Sequence, residues 1–217
     1  MSYKKAGEFS PKLQISAEVM EILKNRDAEE EDYEALEKQK LKEYKRKQRL
    51  DTIPPRFKSS TFSNYEGREE VKDWLKGGRS AIIHGSNGVG KTHLAFASIR
   101  QQIESDIDAR YILAADYFDM IKETFVPGGN AKSIVQQLAN VPYLVIDEVD
   151  KVHNTRTEFV YLYRLINERW NLMNNTVVIS NAEDRKDLVQ FIGSSSIDRL
   201  LDDGKRFELK GESWRRK

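Results

Sequence analysis

Residues 85–92 read Gly-Ser-Asn-Gly-Val-Gly-Lys-Thr, and this octapeptide constrains the fold more than any other part of the chain. It fits the pattern G-x-x-x-x-G-K-[ST], in which Gly85, Gly90, Lys91 and Thr92 occupy the fixed positions. Glycines allow backbone N–H groups to turn inward towards a polyphosphate, and the start of a following helix carries a partial positive charge. The pattern therefore predicts a phosphate-binding loop between a strand and a helix, with the Lys91 ammonium on the β- and γ-phosphates and the Thr92 hydroxyl on Mg²⁺.

The segments on either side of the loop fit this expectation. Residues 80–84 are Ser-Ala-Ile-Ile-His, a candidate for a short apolar strand, and residues 94–99 suit a buried helix. The alternative, a glycine-rich turn with an incidental lysine, does not account for this strand–loop–helix context. We expect the nucleotide to contact Gly85, Ser86, Asn87, Gly88, Val89, Gly90, Lys91, Thr92 and His93.

The composition excludes several classes of protein. The 217 residues are 39% hydrophobic and 33% charged, which gives room for one domain with a core and for an appendage. The net charge of +1 does not favour nucleic acid for the chain as a whole, so any DNA site must be a local patch. The absence of cysteine excludes disulfides and cysteine-based zinc sites. No apolar run has the length of a membrane span, and the N-terminus lacks a signal-peptide core, so we expect no membrane association and a cytoplasmic location.

The first 52 residues differ from the rest. Apolar residues at 13, 15, 19, 22 and 23 have roughly helical spacing, which indicates one short amphipathic helix. An acidic start over 27–34 and a basic run over 38–49 complement a helix dipole and predict a long solvated helix over about 28–50. This helical arm has too few apolar residues for its own core. It is either a solvated arm without a binding role or an arm that docks on a partner protein, and we favour docking because such a segment gains order mainly by binding. Contact of its basic stretch with DNA is a third, less favoured, interpretation.

Residues 53–217 alternate between strand and helix patterns. The Ile-Pro-Pro sequence at 53–55 ends the arm, because proline cannot continue a helix. Strands are predicted at 80–84, 110–114, 143–147, 176–180 and 206–209. Helices are predicted at 68–76, 91–104, 115–125, 130–140, 156–173, 184–191 and near 195–202. Strands separated by helix-length segments predict an α/β fold with a five-stranded parallel sheet between helices.

Polar residues follow two of the apolar strands. Asp147 and Glu148 come directly after Tyr-Leu-Val-Ile, where a strand end would lie beside the phosphate loop. Asp147 is expected to hold Mg²⁺ through water, and Glu148 to polarise the attacking water as a general base. The neighbouring Asp150 is interpreted as a plain surface acid and is given no role. Asn181 ends the next strand, and its amide could touch the γ-phosphate or position the water.

Four segments together resemble the AAA+ ATPases of the bacterial helicase-loader group, which are the DnaC and DnaI types and the related IstB transposition helpers. The segments are Gly85–Thr92 with His-Leu-Ala after it, Val145–Glu148, Ile179–Asn181 and Ile197–Leu200. The resemblance covers about residues 53–217. Residues 53–57 and 61–65 are similar to the family's opening segment near the adenine, and Phe207 with residues 213–215 to its closing strand and tail. The family implies a P-loop fold, ATP and Mg²⁺ as cofactors, and ATP hydrolysis.

The resemblance also implies individual roles. Lys91 and Thr92 match the Walker A residues, Asp147 and Glu148 the Walker B pair, and Asn181 the first sensor. Arg199 matches the arginine finger, which acts on the ATP of an adjacent subunit. A guanidinium at the γ-phosphate stabilises charge in the transition state, and its action in trans makes activity depend on self-association.

Single-stranded DNA is the second ligand that the resemblance implies. Residues 122–125 resemble the family's DNA-contacting segment, and a phosphate-binding Lys122 beside a base-stacking Phe125 is a sensible pair for binding without sequence preference. Phe125 could equally belong to the core. Thr155 and Arg156 fall where relatives also approach DNA.

The chain's limits suggest a particular subgroup. It ends soon after the fifth strand, so we expect no C-terminal lid domain, as in loaders of this type. The short N-terminal part is compatible with a phage or mobile-element protein that acts in the host cytoplasm.

Three functions remain open. The leading one is an ATP-dependent helicase loader that grips a hexameric replicative helicase through residues 1–52 and delivers it onto single-stranded DNA. The second is a transposition helper of the IstB type, which binds DNA and recruits a transposase. The third is a nucleotide-gated protein adaptor, which would not need the water-activating Glu148.

Overall fold

The computed structural model of the chain describes residues 35–152, 155–211 and 213–214. The chain divides into two units, Met1–Lys45 and Arg46–Lys217. Residues 35–45 of the first unit are helical, and so are residues 46–51 of the second. The predicted helix over 28–50 is therefore confirmed for residues 35–50, whereas its part over 28–34 and the predicted helix around 13–23 lie outside the described residues.

Besides the helical residues 46–51, the described part of the second unit contains five strands and seven α-helices. The strands are β1 (Ala81–Gly85), β2 (Ala109–Leu113), β3 (Tyr143–Asp147), β4 (Asn175–Ser180) and β5 (Lys205–Leu209). The helices are α1 (Glu69–Lys76), α2 (Lys91–Glu104), α3 (Ala114–Glu123), α4 (Ala131–Ala139), α5 (Arg156–Asn171), α6 (Arg185–Ile192) and α7 (Ser194–Asp202). A short 3-10 helix at Pro55–Phe57 was not predicted. Every predicted strand and helix of this unit is confirmed within two residues at each end.

The strands form one parallel sheet in the order β2-β3-β4-β1-β5. The central strand β1 pairs with β4 on one side and β5 on the other, with Ile82 opposite Val178 and Arg206. The predicted five-stranded parallel α/β fold is therefore confirmed. In this order the carboxyl end of β1 lies beside that of β4, and β4 in turn lies beside β3.

Two hydrophobic layers cover the sheet. Ile82, Ile146 and Val178 face the layer formed with α3, α4, α5, α6 and α7. Their neighbours Ile83 and Val145 face the opposite layer, formed with α1 and α2. The strands are apolar on both faces because helices pack on each, which is the pattern of a parallel sheet.

A buried arginine links the end of α4 to the amino-terminal ends of β3 and β4. The Arg169 side chain, at the end of α5, has no exposed surface. Its guanidinium donates to the Leu138 carbonyl at 2.6 Å, the Val141 carbonyl at 2.7 Å and the Thr176 hydroxyl at 2.8 Å. Further bonds reach the carbonyls of Ala139 and Asn175. One side chain thus donates hydrogen bonds to backbone carbonyls at the end of α4, before β3 and at the start of β4.

Candidate nucleotide-binding site

The loop between β1 and α2 has a backbone that only glycine accommodates. Gly85 has a φ of 131°, and a Cβ there would lie 2.0 Å from the carbonyl oxygen of Leu209 on β5. Gly90, at the start of α2, has a φ of 90°, and a Cβ there would lie 2.8 Å from the ring of Tyr65. The loop is therefore held against β5 and the opening segment at the two fixed glycines of the sequence pattern.

The Lys91 ammonium lies inside this loop. Its Nζ donates to the carbonyl oxygens of Gly85 and Ser86, both at 2.7 Å, and to Oδ1 of Asn181 at 2.9 Å. The residue is 7% exposed. The contact with Asn181 joins the loop after β1 to the end of β4, as neighbouring parallel strands allow.

The Asp147 carboxylate, at the end of β3, lies beside Thr92. The Thr92 hydroxyl and the Tyr111 hydroxyl each donate to Oδ2 of Asp147 at 3.0 Å, and the Glu148 backbone N–H donates to Oδ1 at 2.7 Å. Burial raises the pKa of Asp147, and these hydrogen bonds lower it in part. Sequence reasoning missed Tyr111, whose role depends on β2 lying next to β3.

The Thr92 and Asp147 pair fits a magnesium ion that also binds phosphate. A hydroxyl and a carboxylate are hard oxygen ligands, and Mg²⁺ is commonly held by one or two protein groups together with substrate phosphates and water. Among the described residues no cluster of three or more His, Cys, Asp or Glu side chains could hold a metal by itself. The donor set therefore suits a metal that arrives with a nucleotide.

Glu148 occupies a tight turn after β3. It has a φ of 58°, a left-handed conformation uncommon for a residue with a side chain. The residue is exposed and lines the cavity that contains Lys91 and Thr92. This position gives a carboxylate access to the cavity without burying it.

The cavity has a volume of about 230 Å³ and collects most of the predicted residues. It is lined by Arg56, Phe57, Asn87, Gly88, Gly90, Lys91, Thr92, His93, Asp147, Glu148, Asn181 and Trp214. Of the predicted nucleotide contacts, Gly85, Ser86 and Val89 do not line it. Val89 instead lines an adjoining cavity together with Tyr65, Leu209 and Trp214.

The opening segment and the end of the described chain flank this site. His93 Nε2 lies 3.0 Å from the carbonyl oxygen of Thr61, which fixes the segment to the start of α2. The Tyr65 and Trp214 rings stack with centroids 5.3 Å apart. The Trp214 backbone N–H donates to the Gly88 carbonyl at 3.0 Å. Two segments from opposite ends of the second unit therefore meet at the loop between β1 and α2.

Asp150 is not the surface acid that the sequence suggested, and this interpretation was wrong. Its side chain is only 6% exposed. It accepts hydrogen bonds from the backbone N–H of Asn181 at 2.7 Å, from Nδ2 of Asn181 at 2.9 Å and from the Ser180 hydroxyl at 3.3 Å. Burial raises the pKa of Asp150, but the hydrogen bonds from Asn181, together with its own backbone N–H and the Lys151 charge, leave the pKa below its usual value. Its spacing from Asp147 carried no signal of this contact, because the partner lies on another strand.

Arg199, on α7, lies outside the cavity of its own chain. Its guanidinium donates to Asn167 Oδ1 at 2.8 Å and to the Ser195 carbonyl at 3.1 Å. It also lies over the rings of Tyr163 and Trp170, at 5.0 Å and 5.5 Å from their centroids. The structure therefore does not bring Arg199 to the other predicted catalytic residues.

The four residues predicted to contact DNA gather near the start of α5. The Thr155 hydroxyl caps this helix by accepting from the Glu158 backbone N–H, and the Lys122 ammonium lies 3.5 Å from the Glu158 carboxylate. Phe125 is 56% exposed, so it does not belong to the core, and its ring centroid lies 6.1 Å from that of Tyr161. All four residues are exposed, although Lys122 and Thr155 also contact Glu158 and Phe125 also contacts Tyr161.

The sheet order and the loop define the class of fold. The fold is similar to the crystal structure of the DnaC helicase loader, with a TM-score of 0.62 over 72% of this chain and 100% of that one at 18% identity. It is also similar to the replication initiator DnaA bound to AMPPCP and single-stranded DNA, with a TM-score of 0.59 over 74% of this chain and 51% of that one at 19% identity. The second unit therefore has the fold of a P-loop domain of the AAA+ type.

The chain belongs to the family of IstB-like ATP-binding proteins, whose family model matches residues 13–217. It is 23% identical to the Escherichia coli K12 protein YdaV over 176 residues, which are 75% of this chain and 71% of YdaV. It is 25% identical to the replicative helicase loader DnaC of the same strain over 161 residues, 68% of this chain and 65% of DnaC. The chain thus spans about two thirds of the length of these relatives. The resemblance to ATPases of the DnaC and IstB types is confirmed.

Among the described residues, no helix combines the length and the apolar character that crossing a bilayer requires.

Proposed function

We propose that the chain is an ATP-dependent loader of a hexameric replicative helicase. The observation that carries the proposal is the convergence of Lys91, Thr92, Asp147 and Asn181, from three neighbouring strands, around one cavity that Glu148 also lines. Membership of an ATP-binding family and similarity to DnaC support it. A loader works where DNA is replicated, so the proposal implies a cytoplasmic protein, in the host if the gene belongs to a phage.

The proposed reaction is hydrolysis of ATP. The phosphate loop and Lys91 would hold the β- and γ-phosphates, and Thr92 and Asp147 would hold Mg²⁺, which would neutralise charge on the phosphate oxygens. Glu148 accepts a proton from water as the water oxygen bonds to the γ-phosphorus. The bond from this phosphorus to the β–γ bridging oxygen breaks, and ADP and phosphate result.

Arg199 is proposed to complete the site of an adjacent copy. Its place outside its own cavity supports action in trans, since a residue that served its own nucleotide would have to line that cavity. A guanidinium brought to the γ-phosphate would stabilise the transition state. Turnover would then rise with self-association.

We also propose two partners, a helicase and single-stranded DNA. Residues 1–52 would dock on the helicase, and single-stranded DNA would contact the surface that carries Phe125 and Arg156. Support for the DNA ligand is that the similar protein DnaA has been solved with single-stranded DNA. An exposed aromatic ring and a nearby guanidinium are groups that bind single strands without sequence preference.

A second candidate is a transposition helper, which the IstB-like family favours. Such a helper would use the same ATPase site, bind duplex DNA and recruit a transposase. The two candidates differ in their DNA preference and in their protein partner.

The test combines both partners with the full chain. A loader is expected to co-elute with a hexameric replicative helicase, to prefer single-stranded DNA and to transfer the helicase onto a single-stranded circle in the presence of ATP. A chain that lacks residues 1–52 should keep ATP binding and lose the complex. Failure to bind any replicative helicase of its host, together with ATP-dependent growth of filaments on duplex DNA, would favour the transposition helper.

A further inference from the structure

Asp150 is a buried carboxylate that the proposed reaction does not use. It lies on the loop after β3 and contacts the end of β4 through both the backbone and the side chain of Asn181. The Ser180 hydroxyl, which also donates to Asp150, in turn accepts from the Ala182 backbone N–H at 3.0 Å. The carboxylate therefore anchors the segment that carries Asn181 through three hydrogen bonds.

The side-chain amide of Asn181 lies between a carboxylate and an ammonium group. Its Nδ2 donates to Asp150 at 2.9 Å, and its Oδ1 accepts from Lys91 at 2.9 Å. A carboxylate can only accept and an ammonium can only donate, so only this orientation of the amide makes both contacts hydrogen bonds. The reversed amide would place oxygen against oxygen at Asp150 and N–H against N–H at Lys91.

We propose that Asp150 is a positioning residue that fixes the Asn181 amide with its oxygen towards the nucleotide cavity. The proposal rests on the proposed ATPase function of this cavity. In this orientation Asn181 offers an acceptor, which suits the Lys91 ammonium or an O–H of the attacking water. It does not suit a phosphate oxygen, which is itself an acceptor. Of the two roles that the sequence left open, Asn181 thus positions the water and Lys91 and does not donate to the γ-phosphate.

The first test is Asp150→Asn in the full chain. The new amide keeps the size of the side chain but loses the charge that fixes Asn181. We expect kcat for ATP hydrolysis to fall by about tenfold, the usual scale for one hydrogen bond to a charged group, with the KM for ATP changed by less than about twofold. The matched control is Asp73→Asn, an exposed aspartate on α1 that is paired only with Lys76 in the described contacts. It should leave both constants unchanged.

The second test exchanges the two side chains. In the double variant Asp150→Asn with Asn181→Asp, residue 181 still presents an oxygen to Lys91, and residue 150 can donate to residue 181. If the oxygen of residue 181 is what the cavity uses, the double variant should hydrolyse ATP faster than either single variant. If an N–H group is what the cavity uses, the double variant should be as slow as Asn181→Ala, and the proposal would be overturned.

A measurement on the nucleotide-free protein separates the proposal from the proposed function. The side-chain ¹H–¹⁵N signals of Asn181, assigned by their loss in Asn181→Ala, should shift in Asp150→Asn and stay in place in Asp73→Asn. Unchanged signals, or an unchanged kcat in Asp150→Asn, would overturn the positioning role even while hydrolysis by the wild type upholds the ATPase. If the wild type hydrolysed no ATP, the ATPase function would fail, and the amide signals alone would decide the role of Asp150.

Discussion

Glu148 adopts a backbone conformation that costs a non-glycine residue about 1–3 kcal/mol. The turn is held in place because the Val149 backbone N–H donates to the Ile179 carbonyl on β4 at 3.3 Å. Neighbouring strands therefore sustain the strained position and keep the Glu148 carboxylate at the cavity. Among single residues, Glu148 thus combines a strained backbone with a carboxylate that reaches the cavity.

Replacing Glu148 with glutamine separates binding from chemistry. Glutamine keeps the size of the side chain but cannot accept a proton from water, so turnover should fall by about a hundredfold or more. Affinity for ATP should remain close to that of the wild type, and the protein should stay in its ATP-bound form. Steady-state hydrolysis and equilibrium binding of a fluorescent ATP analogue measure the two effects. Turnover at the wild-type rate would remove Glu148 as the general base.

Arg169 connects secondary-structure elements to one another. It carries a buried charge without a carboxylate partner among its hydrogen bonds, and it instead satisfies backbone carbonyls at the end of α4 and the start of β4. Buried acceptors that lose their donor cost about 1–3 kcal/mol each. The amino-terminal ends of β3 and β4, which lie away from the nucleotide cavity, therefore depend on one side chain.

Arg169→Leu should destabilise the fold by at least about 3 kcal/mol, because several buried carbonyls lose their partner at once. For a domain of this size, the Tm should fall by about 6–12 °C. Thermal unfolding followed by circular dichroism measures the change. Arg164→Leu, an exposed arginine on the same helix, is the control and should change the Tm by less than about 2 °C. Equal effects of the two substitutions would contradict the structural role of Arg169.

The elements were predictable from sequence because their signals are local. Apolar runs bounded by polar residues gave every strand of the second unit, and the loop from Gly85 to Thr92 gave the position of the cavity. Asp150 and Tyr111 could not be assigned in this way, since each acts on a residue of another strand. The order of the strands in the sheet determines which strands are neighbours. No single stretch of the sequence encodes that order. Arg169 was missed for the same reason, because its partners lie on α4, on the loop after α4 and on β4.

For the molecule as a whole, the position of Arg199 distinguishes a chain that works alone from one that works together with an adjacent copy. Within its own chain it lies over the Tyr163 and Trp170 rings and bonds to Asn167, away from the cavity. If Arg199 acts on a nucleotide as proposed, a second copy must bring its cavity to the guanidinium. Activity should therefore depend on protein concentration.

Arg199→Ala tests this dependence. The variant should bind ATP as the wild type does, because Arg199 does not line its own cavity. Its turnover should no longer rise with protein concentration, and the loss at high concentration should be about a thousandfold if the residue acts as an arginine finger. Mixing Arg199→Ala with Lys91→Ala should restore part of the activity, since each variant supplies what the other lacks. Concentration-dependent turnover that persists in Arg199→Ala would show that the residue does not act in trans.

Titration calorimetry of the full chain with ATP and Mg²⁺ tests most directly whether this cavity binds a nucleotide. The wild type should give a saturable heat and show competition by ADP, and Lys91→Ala should lose both, because the ammonium at the centre of the loop is removed. Lys76→Ala, an exposed lysine on α1, should bind as the wild type does. No heat with the wild type at millimolar ATP, or unchanged binding in Lys91→Ala, would contradict the assignment of this cavity to a nucleotide.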